Sequence, residues 1–285
     1  MDGPSEVYLL GRDPKESARL NAQHDFLINL IGASQVHSSI PTDSITSVAD
    51  IATGTGIWLS TLDKSLPPPP PKSPRYFHGF DISPEQFPRE NDVSPTRTIR
   101  LSVHNICERF PEEHRGRYDL VHLRLLAGAL KEADYAVAVK NVCELLKKGG
   151  HLQWDDCDTT AFTTTPSTPQ VTQMREIIAD GVCQLGLCDT APQRVEKLLR
   201  AQGVLVDIRR EVFSTVDKPG LHGVARVWLV EVLRSLLPRS LLAGGEVSSE
   251  EEARRRTEGL VGALEGAVGE TVPVVNLQVV VGRKD

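Results

Sequence analysis

In "KESARLNAQHDFLINLIG", Leu20, His24, Leu27 and Ile31 recur at helical spacing, and this stripe predicts an amphipathic first helix with Gln23 at its margin. Asp13 stands where a helix is capped, Pro14 at the first helical position, and Gly32 where the helix stops. From about residue 46 the pattern changes to short apolar runs alternating with helical ones. "SVADIA", "RYFHGFDI", "RTIRLSVHNI", "YDLVHLRLL" and "HLQWDD" read as five strands. "GIWLSTLDKSL" reads as a helix, and so does "DYAVAVKNVCELLKKGG", from Asp134 to Gly149. This alternation implies a mostly parallel sheet covered by helices on both faces. Residues 67–74, "PPPPPKSP", read as a polyproline-like surface linker.

The remainder is patterned differently. Residues 168–202 read as two helices, "VLVDIRREVFSTV" as a strand, and "GVARVWLVEVLRSLL" and "SSEEEARRRTEGLVGAL" as further helices. In the last of these, Glu250, Glu251 and Glu252 each stand four residues before Arg254, Arg255 and Arg256, the spacing of a solvated, ion-paired face. The chain closes on "VPVVNLQVVVGRKD", a strand. Three parts follow: an N-terminal helical cap segment over 1–45, an α/β core over 46–158, and a C-terminal helical cap with the last strands over 159–285.

A chain of 285 residues can form one large domain, or a domain with a cap. A net charge of −6 argues against nucleic acid as the main partner. No apolar run approaches the roughly 20 residues that span a bilayer. The acidic N-terminus lacks a signal-peptide core, so a cytoplasmic protein without a membrane partner is expected. Five cysteines, with no C-x-x-C pair, read as free thiols rather than a zinc site.

The stretch "VADIATGTGIWLS", residues 48–60, is a strand, a glycine turn and a helix start. A dinucleotide turn needs a third glycine, but Gly54 and Gly56 are followed by Ile57, Trp58 and Leu59. A triphosphate loop needs Gly-Lys-Ser/Thr, which is absent. S-adenosylmethionine (SAM) carries no phosphate and asks only for close backbone approach. Asp50 at the first strand end suits its ammonium, Asp81 at the second its ribose hydroxyls, and Asn105 at the third its adenine amine. Thr53, Gly54, Gly56, Ile82 and Ile106 complete the expected cofactor set.

The turn, "GFDIS", "VHNI", "YDLVHLRLL" and "LLKKGGHLQWDD" follow in the order found in class I SAM-dependent methyltransferases. More narrowly, "RDPKESARLNAQHDFL", "ADIATGTGIW" and "HLQWDDCD" resemble the fungal secondary-metabolism methyltransferase-like group, which includes relatives of the regulator LaeA. The resemblance implies a Rossmann-like, seven-stranded, mostly parallel sheet with its last strand, "NLQVVVGR", inserted antiparallel. It also implies C-terminal helices over the substrate. Ala52 takes the place of the first motif glycine, which is tolerable where the backbone needs no positive φ. The activity implied is methyl transfer to a small fungal metabolite, with O-methylation favoured; a SAM-binding protein that does not methylate, enzyme or regulator, is the alternative. The partner is then a small molecule, and a homodimer is allowed.

Three catalytic candidates follow: His122 as first choice of general base, Asp156 as second, and Arg124 beside His122 on one face of the fourth strand. Arg124 would lower the His122 pKa and keep its imidazole neutral. It also stands where metal-dependent members of the class carry an acid, so no metal is expected. His24, Trp154 and Arg226 are the substrate-contact candidates, with His222 and Trp228 nearby in the cap.

Overall fold

The structure, a computed structural model, describes residues 14–67, 74–88, 99–158, 162–266 and 270–285. The capping role of Asp13, and most of the proline-rich linker, lie outside these residues. Five parallel strands, β1 (Ser47–Ile51), β2 (Tyr76–Asp81), β3 (Ile99–Val103), β4 (Tyr118–Arg124) and β5 (Leu146–Asp156), form most of one sheet. The antiparallel β9 (Asn276–Lys284) enters between β5 and β7 (Leu205–Ser214), giving the order β3-β2-β1-β4-β5-β9-β7. Strand order reverses between β1 and β4, the place where open α/β sheets bind ligands.

Helices α1 (Pro14–Leu30) and α2 (Ile57–Ser65) cover one face, burying Phe26, Leu27, Leu30, Trp58 and Leu59 against Val48 and Leu120. On the other face, α3 (Tyr135–Leu145) and α5 (Ala191–Gln202) pack Val139, Val142, Val195 and Leu199 onto Val121 and Leu152. So α5, expected in the cap, belongs to the layers of the core. The cap itself is α4 (Pro169–Gln184), α6 (His222–Ala243) and α7 (Glu250–Gly266), joined through Met174, Ile178, Leu233, Leu237 and Val261. A two-stranded sheet of β6 (Thr163–Thr165) and β8 (Val272–Val274) tethers it.

Two expectations need correction. The helix begun near Asp134 ends at Leu145 rather than Gly149, because β5 starts at Leu146 and "KKGG" carries Gly149 at φ 79 within it. On α7, Glu250 pairs with Arg254 at 2.9 Å, but Arg256 reaches back to Glu246 while Glu252 accepts from the Ser248 backbone N–H at 3.2 Å. The start of that helix takes up the third acid.

Candidate active site

At the strand reversal, Asp50 of β1 and His122 of β4 stand in register. Their side chains meet: Asp50 Oδ1 lies 2.7 Å from His122 Nδ1, and Asp155 Oδ2 lies 3.3 Å from His122 Nε2. All three side chains are buried. Burial alone would lower the His122 pKa, but the hydrogen bonds from Asp155 and Asp50 and their charges outweigh it and hold it above its ordinary value. Each ring nitrogen thus faces a carboxylate, an arrangement that favours the protonated ring. The direction differs from the lowering expected from Arg124, because the two carboxylates push the His122 pKa up.

The glycine turn follows β1. Ala52 has φ 58, Gly54 φ 53 and Gly56 φ 69, so the first motif position does need left-handed backbone, and alanine occupies it under strain. Thr53 is clamped by its Oγ1–H donating to Asp50 Oδ2 at 2.6 Å and its N–H to the Phe80 carbonyl at 3.0 Å. A Cβ on Gly79 would sit 2.7 Å from Thr53 Oγ1, which is why β2 carries glycine there. Asp81 Oδ2 accepts the Gly54 N–H at 2.8 Å, fixing the turn to the end of β2.

These elements open onto one cavity of about 500 Å³. Its first half is lined by Asp50, Thr53, Gly54, Asp81, Ile82, Asn105 and Ile106, so all of the expected cofactor set except Gly56 reaches it. Gly56 instead precedes α2, and its N–H donates to the Thr53 carbonyl at 2.9 Å. Asn105 Oδ1 accepts the Cys107 N–H at 3.0 Å, which orients its amide. The second half is walled by Leu126, Phe162, Ile178, Trp228, Val232 and Leu236. Phe162 and Trp228 rings lie 5.8 Å apart.

All three catalytic candidates, His122, Arg124 and Asp156, line the cavity. Asp156 Oδ2 accepts from the Leu126 and Ala127 N–H groups at 3.0 and 3.1 Å and from Trp154 Nε1 at 3.2 Å, and Oδ1 accepts from Cys157 N–H at 2.9 Å. Burial pushes its pKa up to about 7 against the pull of those donors. Its evident work is to shape the loop after β4. Three substrate candidates are not brought to the cavity. His24 is buried against Thr61 Oγ1 (2.9 Å) and Arg124 Nη2 (3.3 Å); Trp154 is a core side chain beside Tyr135; Arg226 bonds the Thr271 carbonyl, tying α6 to the segment before β8. They fail for one reason: each long or aromatic side chain found a partner inside the fold. His222 likewise bonds the Thr215 carbonyl at 3.0 Å. Phe162, Ile178, Val232 and Leu236 were missed, since apolar cap positions carry no local signal of the cavity they wall.

A family model described as a methyltransferase domain matches residues 15–176. Methyltransferase grgD of a Penicillium species is 34% identical over 263 residues, covering 91% of this chain and 90% of its own. The chain belongs to this methyltransferase family. A second family relative, N-methyltransferase tcpN of Claviceps purpurea, is 26% identical over 263 residues and 88% of each chain. The solved Haloferax volcanii methyltransferase bound to the Trm112 activator shares the fold, with TM-score 0.55, 13% identity and 99% of each chain covered. This member is therefore a SAM-dependent methyltransferase, with the Rossmann-like sheet expected of its class. Its residues fit that cofactor. The cavity offers a carboxylate at the β2 end, two isoleucines and an amide just past the β2 and β3 ends, and a left-handed glycine turn. Among the described residues no helix is long and apolar enough to cross a membrane.

Proposed function

We propose that this methyltransferase acts on a small, largely apolar metabolite, transferring the methyl group to a nitrogen without a metal. The observation that carries the reading is the continuity of the cavity. One cavity is lined both by the ends of β1, β2 and β3 and by Trp228, Val232 and Leu236 of α6. An acceptor of mostly apolar surface gains about 25 cal/mol for each Å² buried there. Bound in the polar half, SAM supplies an electrophilic methyl on a sulfonium. Asp81 holds the ribose hydroxyls as an acceptor, Ile82 and Ile106 flank the purine, and Asn105 meets its edge. The apolar walls align the acceptor and exclude water, which is most of what such a transfer needs.

Nitrogen is preferred over the hydroxyl oxygen expected from sequence because of His122. A hydroxyl needs its proton removed, and the first candidate base has a carboxylate at each ring nitrogen, Asp50 and Asp155, which favours the form that cannot accept one. An amine bound in its neutral form attacks through its own lone pair, and the ammonium formed loses its proton to water after the transfer. The name of the relative tcpN, an N-methyltransferase, supports the same choice. The acids at the end of β5 and just past it each have another partner: Asp155 serves His122, Asp156 the β4 loop, and Asp158 Oδ2 accepts from Gln193 at 2.9 Å and Gln278 at 2.6 Å. The test is incubation with ¹³C-methyl SAM and a panel of apolar secondary amines and matched phenols. Carbon-13 spectra should show N-methyl products from the amines. Labelling of the phenols alone would reverse the choice of atom, and labelling of neither would remove this acceptor class.

A further inference from the structure

Arg124 closes β4 on the face that carries His122 and α1, and its guanidinium lines the cavity beside Asp50 and the glycine turn. Among the described residues, one contact holds it: Nη2 lies 3.3 Å from His24 Nδ1. Among the described residues its Nε and Nη1 donate to no acceptor, and neither is sealed away from the cavity. A cation with two unspent donors facing a ligand space is built for an anion.

The partner on its other side is arranged for that purpose. Burial, then the Arg124 and His122 charges, push the His24 pKa down to about 3, so the ring is neutral. A neutral imidazole has one accepting nitrogen, and the guanidinium requires it to be Nδ1. Nε2–H then donates to Thr61 Oγ1 at 2.9 Å, and Thr61 donates onward to the Ile57 carbonyl at 2.8 Å. This chain across α1 and α2 fixes the Arg124 fork without spending its charge. The neighbouring carboxylates stabilise its charge from a distance but take none of its donors: Asp50 bonds His122 and Thr53, and Asp155 bonds His122 and Gln153. Arg19, which also lines the cavity, is different, because Glu16 already grips it with both oxygens at 2.6 and 2.8 Å.

Position selects the anion. Asn105 follows β3 and Asp81 closes β2, so adenine and ribose lie over those strands and the amino-acid end of the cofactor falls at the β1–β4 edge. We propose that Arg124 is the carboxylate-binding corner of the cofactor site, taking the amino-acid carboxylate of SAM, with His24 as the residue that positions it. This rests on the cofactor assignment above. The zwitterionic end of the ligand also matches the charges there, which already balance as two carboxylates against His122 and Arg124.

The test is calorimetric and needs no acceptor. S-adenosylhomocysteine (SAH) is compared with its decarboxylated analogue, 5′-(3-aminopropylthio)-5′-deoxyadenosine, and with 5′-methylthioadenosine. Wild type should prefer SAH over the decarboxylated analogue by about ten- to hundredfold, the worth of a charge-assisted pair. Arg124→Gln should erase that preference while binding the other two as wild type does, and Arg124→Lys should restore part of it. A wild type indifferent to the carboxylate, or a glutamine variant that keeps the preference, overturns the proposal. Should the glutamine variant not fold, the wild-type ratio and the lysine variant decide. A wild type that binds none of the three would bring down the cofactor assignment itself, a result distinct from indifference to the carboxylate.

Discussion

The imidazole of His122 lies flat on the indole of Trp58, ring centroids 3.7 Å apart and planes within 2°. With Asp50 and Asp155 at its two nitrogens, this ring is enclosed on its edges by anions and on a face by an aromatic π-system. That arrangement stabilises a cation and joins α2 to β1, β4 and β5. It makes His122 part of the frame of the cofactor site.

Replacing His122 by alanine should therefore act on the whole site. Two buried carboxylates would lose their shared counter-charge, a loss of about 3–5 kcal/mol for a broken buried ion pair. Thermal melting, SAH affinity and turnover should fall together. A variant that melts like wild type and binds SAH normally, with turnover alone abolished, would restore the general-base role.

Ala52, at φ 58, offers a converse experiment. Left-handed backbone costs an L-residue roughly 1–2 kcal/mol, and glycine recovers this at an unfolded-state entropy cost of roughly 0.4–1 kcal/mol. Ala52→Gly should stabilise by roughly 0.5–1 kcal/mol. Denaturant unfolding that shows a loss of stability would mean that the alanine methyl makes contacts that matter more than its backbone.

The pH dependence divides by sign. Burial, then His114 and nearby arginines, lower the His78 pKa to about 4, so the folded state holds it neutral while the unfolded chain protonates it near 6.5. Its contribution is fully present above pH 6.5 and is lost as pH falls toward 4. Asp156, raised to about 7, works oppositely over the same range: its folded form keeps a proton that the unfolded chain gives up. Wild-type melting alone mixes the two, so the informative quantity is a difference. His78→Gln should flatten the acid limb of the melting curve, because Tyr76 and Ser102 keep a hydrogen-bonding partner without a titrating one. An unchanged acid limb would show that His78 is protonated in the fold.

Much of this was legible in the chain. Strand ends advertise themselves when a short apolar run stops at an acid or amide, and Asp50, Asp81 and Asn105 each lie at or just past such an end. The antiparallel β9 was legible through resemblance rather than periodicity. Illegible were the partnerships between elements far apart in sequence. Nothing local to "VHLRLL" tells that Asp155, 33 residues on, will meet His122, or that His24, 100 residues before Arg124, will meet its guanidinium. Ala52 shows the same limit in another form, since whether a turn needs positive φ depends on where Thr53 must reach.

The central claim is that one cavity holds SAM at Asp81 and an apolar acceptor beneath α6, and SAH calorimetry on three proteins tests it most directly. Wild type should bind at roughly micromolar affinity, about −8 kcal/mol. Asp81→Ala should bind more weakly by about 1.5–3 kcal/mol, the loss of charge-assisted hydrogen bonds. Leu236→Trp, which fills the acceptor half, should match wild type in SAH affinity while losing methyl transfer. Equal SAH affinity in wild type and Asp81→Ala, or SAH affinity lost only in Leu236→Trp, would contradict this division of the cavity.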